Sequence, residues 1–93
     1  MLVIKKNGEK VWVTFTVSSM DPIEGITLLG EWNTWKGEPM KQKKNGDYYL
    51  TKVLNTGKSF EFGYMVNGEQ WLTEDACSSV PSPFGSQNSL LEL

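Results

Sequence analysis

A chain of 93 residues with a formal charge of −2 has room for one hydrophobic core and lacks the basic field that a phosphate backbone requires, which sets nucleic acid aside as a partner. It contains no His and a single cysteine, Cys77, so the commonest general base and zinc ligand is missing and no internal disulfide can form. Catalysis, metal binding and a bound cofactor are therefore not expected.

The first element in chain order is Met1-Leu2-Val3-Ile4, followed at once by Lys5 and Lys6. This apolar run is too short for a signal peptide or a membrane span, and the expectation is a cytoplasmic protein with no membrane partner. Residues 1–10 read as an amino-terminal arm, ahead of a domain over 11–93. Val11, Val13, Phe15 and Val17 alternate with Trp12, Thr14 and Thr16, the period of a strand with one buried face. Ser18 to Gly25, with Asp21-Pro22, reads as a turn. Ile26, Leu28 and Gly30 then alternate with Thr27 and Leu29, a second strand whose phase points Trp32 inward and leaves Trp35 beyond its end.

Asn45-Gly46 is a hairpin signal, and a strand over Asp47 to Leu54 follows. In that strand Tyr48 and Leu50 match one face while Val53 matches the other, a slip that a bulge or an outward Lys52 explains. Asn55-Thr56-Gly57-Lys58 is the next turn. Phe60, Phe62, Tyr64 and Val66 alternate with Glu61, Gly63 and Met65, and Asn67-Gly68 closes another hairpin before Trp71. Thr73 to Ser82 is polar and carries Pro81, the signature of a loop crossing a sheet edge, and Ser89 to Leu93 supplies a last short strand. Helical periodicity is absent. The pattern predicts an all-β sandwich with Val13, Phe15, Leu28, Phe62, Tyr64 and Val66 in one core.

Within this frame the segment Gly30-Glu31-Trp32-Asn33-Thr34-Trp35 sets two tryptophans in a polar, turn-forming context. Trp35 follows one strand and Trp71 another, and Ser86-Gln87-Asn88 lies in the last loop. Two aromatic plates and an amide can hold consecutive sugars, because the plates cover the apolar C–H faces while amides and hydroxyls read the equatorial oxygens.

Three ordered stretches carry a resemblance. They are Ile26-Thr27-Leu28-Leu29-Gly30-Glu31-Trp32-Asn33-Thr34-Trp35, Tyr64-Met65-Val66-Asn67-Gly68-Glu69-Gln70-Trp71 and Phe84-Gly85-Ser86-Gln87-Asn88. Together they resemble the glycogen-binding modules of carbohydrate-binding module family 48, which includes the module of the AMP-activated protein kinase β subunit and the early-set domain ahead of isoamylase and branching-enzyme barrels. The resemblance spans residues 11–93 and implies an immunoglobulin-like β-sandwich that binds α-1,4-linked glucan. It implies stacking roles for Trp35 and Trp71, a sugar-binding role for Asn88, a hydroxyl at Ser86 where the family has Thr, an apolar contact at Phe84, and a core position for Trp32. Two departures stand out. The family's basic residue falls at Gly63, with Lys58 as a substitute from the neighbouring turn, and the Asn67 hairpin is one residue longer than the family's.

Other signals read as ordinary surface. Lys41, Lys43 and Lys44 flank Asn45-Gly46 and form a solvated hairpin tip. Glu31, Asp47, Glu61, Glu74 and Asp75 show no spacing that marks the carboxylate pair of a glycosidase. Cys77 has no His or basic activator nearby and reads as a plain thiol. The expectation is a non-catalytic α-glucan-binding module. The alternative is a structural or protein-interaction domain of the same fold without sugar affinity.

Overall fold

The computed structural model describes residues 1–18, 24–82 and 86–93. Its strands are β1 (Leu2–Asn7), β2 (Lys10–Val17), β3 (Ile26–Gly30), β4 (Glu38–Pro39), β5 (Lys41–Gln42), β6 (Tyr48–Asn55), β7 (Ser59–Val66), β8 (Gln70–Leu72), β9 (Ser78–Pro81) and β10 (Gln87–Glu92), with a short 3-10 turn over Glu31–Asn33. Two antiparallel sheets pack face to face. One runs β1-β2-β6-β5; the other runs β4-β3-β7-β10-β9, with β8 beside the far end of β7. The chain is a β-sandwich, as the alternation predicts. Among the described residues no helix is long and apolar enough to cross a membrane.

The core lies between the inward faces of β2, β3, β6, β7 and β10. Val13, Phe15, Leu28 and Phe62 are fully buried, and Tyr64 and Val66 are buried beside them. Phe62 sits at the centre, with its ring 5.2 Å from Phe15 and 5.9 Å from both Trp32 and Tyr64. Trp32 does point inward, although β3 has already ended: the 3-10 turn swings its indole beneath Gly30. A β-carbon at Gly30 would stand 2.6 Å from Trp32 Cη2, so only glycine lets the indole lie there. Its Nε1 is buried with no hydrogen-bond partner among the described residues, which costs about 1–3 kcal/mol and is outweighed by the ring packing.

Several expectations need correction. The supposed arm is strand: β1 pairs with β2 from Leu2 opposite Phe15 to Asn7 opposite Lys10. Its side chains are exposed apart from Leu2, which packs against the core, and backbone pairing does most to make it a strand. Next, β6 has no bulge, since its register against β2 is continuous from Lys10–Asn55 to Val17–Tyr48. Lys52 therefore shares the inward face with Tyr48, Leu50 and Leu54, and Val53 is the residue that faces solvent, 51% exposed. The inward Lys52 is tolerated because its Nζ reaches Glu38 Oε1 of the other sheet at 2.7 Å. Finally, the segment expected as a loop over Thr73 to Ser82 contains edge strand β9, which pairs with β10 and ends at Pro81, where a missing N–H does no harm. The Asp21-Pro22 part of the Ser18–Gly25 turn lies outside the described residues.

A polar cluster closes the sandwich where β8 leaves β7. Glu74 is 5% exposed, and its Oε1 accepts hydrogen bonds from the Tyr64 hydroxyl at 2.7 Å and the Met1 amino group at 2.8 Å. Its Oε2 accepts from the Ala76 N–H at 3.1 Å, and its own N–H donates to Ser89 Oγ at 2.7 Å. Burial by itself raises the carboxyl pKa, but these donors and the charge of the amino group outweigh it and hold Glu74 below its ordinary value. A carboxyl with a lowered folded pKa stabilises the fold above its unfolded pKa, and the contribution disappears as pH falls through the folded value. Glu74→Gln should therefore melt lower than the parent at pH 7, by about 1.5–3 kcal/mol for the weakened bonds to a charged acceptor. The gap should close as melts are repeated at pH values stepped down below 4.5, the ordinary carboxyl value. A gap that stays constant to low pH would show that Glu74 acts by shape alone.

Candidate functional site

The outer face of the second sheet holds the tryptophans singled out in the sequence. Along β7 the inward residues Phe60, Phe62, Tyr64 and Val66 leave Glu61, Gly63 and Met65 facing out, and β3 contributes Leu29 directly opposite Gly63. Trp71 does not lie beyond a strand end as expected: it is the central residue of β8, which sets it opposite Met65 on the same face. Gly63 presents no side chain, and the Trp71 indole lies across its backbone: a β-carbon there would stand 2.6 Å from Trp71 Cε2. The Trp71 Nε1–H donates to the Gln87 carbonyl at 2.8 Å, which fixes the ring over the gap. The hairpin predicted at Asn67-Gly68 is present, with Val66 opposite Gln70 and Asn67-Gly68-Glu69 in the turn.

Trp35 arrives by a different route. After the 3-10 turn, Thr34 and Trp35 both adopt left-handed backbone conformations, φ 62° and 63°. Such values are unfavourable for residues with a β-carbon and persist only where the surroundings enforce them. Here the Trp35 N–H donates to the Gly30 carbonyl at 2.9 Å, and the Asn33 side chain both donates to Lys36 O and accepts from Lys36 N, each at 3.2 Å. The reversal folds Trp35 back over the sheet, with its ring centroid 6.4 Å from that of Trp71 and the planes inclined at 48°. Both indoles line a cavity of about 470 Å³, to which the outward-facing Leu29 and Met65 contribute an apolar floor.

The rim of this cavity is polar. Glu31 Oε1 accepts the Glu61 backbone N–H at 2.6 Å, satisfying a sheet amide left over where β3 stops at Gly30. Asn88 Nδ2 donates to Glu61 Oε1 at 3.2 Å, and Asn88 is 7% exposed. Ser82 and Ser86 form the opposite lip, joined by a bond from Ser82 N to Ser86 O at 2.8 Å.

Of the residues named from sequence, Trp35, Trp71, Ser86 and Asn88 therefore meet around one cavity, while Phe84 lies outside the described residues. Asn88, expected in the last loop, lies instead in strand β10 opposite Val80 and is spent in part on Glu61 rather than standing free. Lys58, the expected substitute for a basic side chain at position 63, is not among the described residues that line the cavity. The indole of Trp71 itself fills the space over Gly63 that such a side chain would need. Trp12 lies on the other sheet, opposite Lys5 and Val53. Leu29, Met65, Glu31 and Glu61 were not singled out as site residues. The outward phase of β3 and β7 would have placed the first two, but the meeting of the two glutamates follows from the point where β3 ends against β7. Among the described residues no group of carboxylate or thiol side chains is arranged to hold a metal ion. No protein-family model matches the chain, and no curated protein matches it.

Proposed function

We propose that the Trp35–Trp71 face binds α-1,4-linked glucan without catalysing a reaction on it, within an immunoglobulin-like early-set domain of the kind found in carbohydrate-binding module family 48. The observation that carries this reading is the pair of indoles, 6.4 Å apart and inclined over an apolar floor, with amide, hydroxyl and carboxylate groups only at the rim. Sugar rings in an α-linked chain turn gradually from one to the next, and two plates inclined to one another match successive apolar ring faces better than a flat surface does. Glu31 and Glu61 are committed to the scaffold, one to a sheet amide and the other to Asn88, which fits a binding role better than acid–base work.

Each indole offers on the order of 100 Å² of apolar surface, about 5 kcal/mol for the pair at about 25 cal/mol per Å². Hydrogen bonds to the sugar and the cost of ordering it largely cancel. The expected dissociation constant is therefore about 10 μM to 1 mM for maltoheptaose, followed by tryptophan fluorescence or calorimetry. No binding to maltoheptaose, β-cyclodextrin or insoluble starch would leave the protein-interaction reading in its place.

A further inference from the structure

The polar rim of the cavity is one-sided in charge. Glu31 and Glu61 both line it, each held by a hydrogen bond within the protein, and neither belongs to a salt bridge among the described residues. No lysine is among the described residues lining the cavity. We infer that the two carboxylates act as a charge filter, so that the face accepts uncharged glucan and rejects glucan bearing phosphate groups. This rests on the glucan reading above.

The chemistry differs for the two ligands. A carboxylate offers about four acceptor directions, so Glu31 and Glu61 retain capacity for sugar hydroxyl hydrogens beyond the bonds already described, and hydrogen bonds to an ionised acceptor are the stronger kind. A phosphate ester on the same sugar brings negative charge against two negative groups, with no lysine among the described residues lining the cavity to offset it. At a separation of about 6–8 Å in a half-solvated cleft, one such repulsion weakens binding by about tenfold. Mobile salt screens it, so the discrimination belongs to low ionic strength.

The test is a calorimetric titration of the protein with maltoheptaose and with a maltodextrin of the same length carrying a 6-phosphate, at about 20 mM and about 500 mM NaCl. The phosphorylated chain should bind about tenfold more weakly at low salt, and the two affinities should approach within about twofold at high salt. Glu31→Gln combined with Glu61→Gln keeps an acceptor oxygen at each position and should remove most of the low-salt difference. Equal or tighter binding of the phosphorylated chain at low salt would overturn the filter and leave glucan binding intact, as would a difference that salt does not reduce. Failure of maltoheptaose itself to bind would overturn the glucan reading, and the filter with it. The salt series on the parent protein decides the matter even if the double variant melts early.

Discussion

Phe62→Ala should lower the stability of the domain by about 3–5 kcal/mol, the cost of lost transfer energy plus the cavity left behind. The side chain is fully buried and touches Phe15, Trp32 and Tyr64, so its removal strips contacts from both sheets at once. A domain of this length has a total stability of about 5–14 kcal/mol at the usual 0.05–0.15 kcal/mol per residue, and the variant should sit near the edge of folding. A urea titration with Phe62→Leu alongside checks this. The leucine variant should lose less than about 1.5 kcal/mol if it repacks, while a loss below about 1 kcal/mol for alanine would mean that the core has collapsed around the gap. Trp32→Ala should fall in a similar range, but Trp32→Phe should be milder, because it also removes the buried Nε1–H that has no partner among the described residues.

The second large effect concerns binding. Trp35→Ala and Trp71→Ala should each weaken glucan affinity by roughly 1.5–3 kcal/mol, about tenfold or more, with little change in melting temperature, since each removes one of the two apolar plates. Gly63→Ala should act on the same plate from beneath. Its new β-carbon would collide with Trp71 and lever the indole away from the Gln87 carbonyl, although alanine is intrinsically better than glycine in a strand. Affinity should fall several-fold while stability stays near the parent value, and the near-ultraviolet circular dichroism from the Trp35–Trp71 pair should change. Trp12→Ala, on the opposite sheet, should leave binding unaltered. The measurement is a pull-down on insoluble starch with a melt of each variant. If Trp35→Ala and Trp71→Ala both fold and bind like the parent, the face is not a sugar platform.

How much of this was written in the chain depends on whether a side-chain pattern had to be respected. β2 and β7 are legible because burying one face of a strand requires a strict period of two, and Val11 to Val17 and Phe60 to Val66 obey it. The Asn67-Gly68 turn is legible because both residues take positive φ, 53° and 71°, which that dipeptide favours. β1 and β9 were not legible. Neither buries a continuous face, and each is a strand because a neighbour supplies backbone hydrogen bonds that any sequence can accept. Lys52 was misread for a related reason: its inward place is stabilised by Glu38, a residue of the other sheet whose position no local pattern reveals. The same division runs through the candidate site. The chain by itself determined that Trp35 follows a strand end and that the residue at 63 has no side chain, whereas Trp71, expected beyond a strand end, lies inside β8 because β7 supplies it with a pairing partner. Only the pairing of β3 with β7 set Leu29 opposite Gly63, opened the seat for the Trp71 indole and brought Glu31 to the Glu61 amide, because a sheet register is fixed by contacts far apart in sequence.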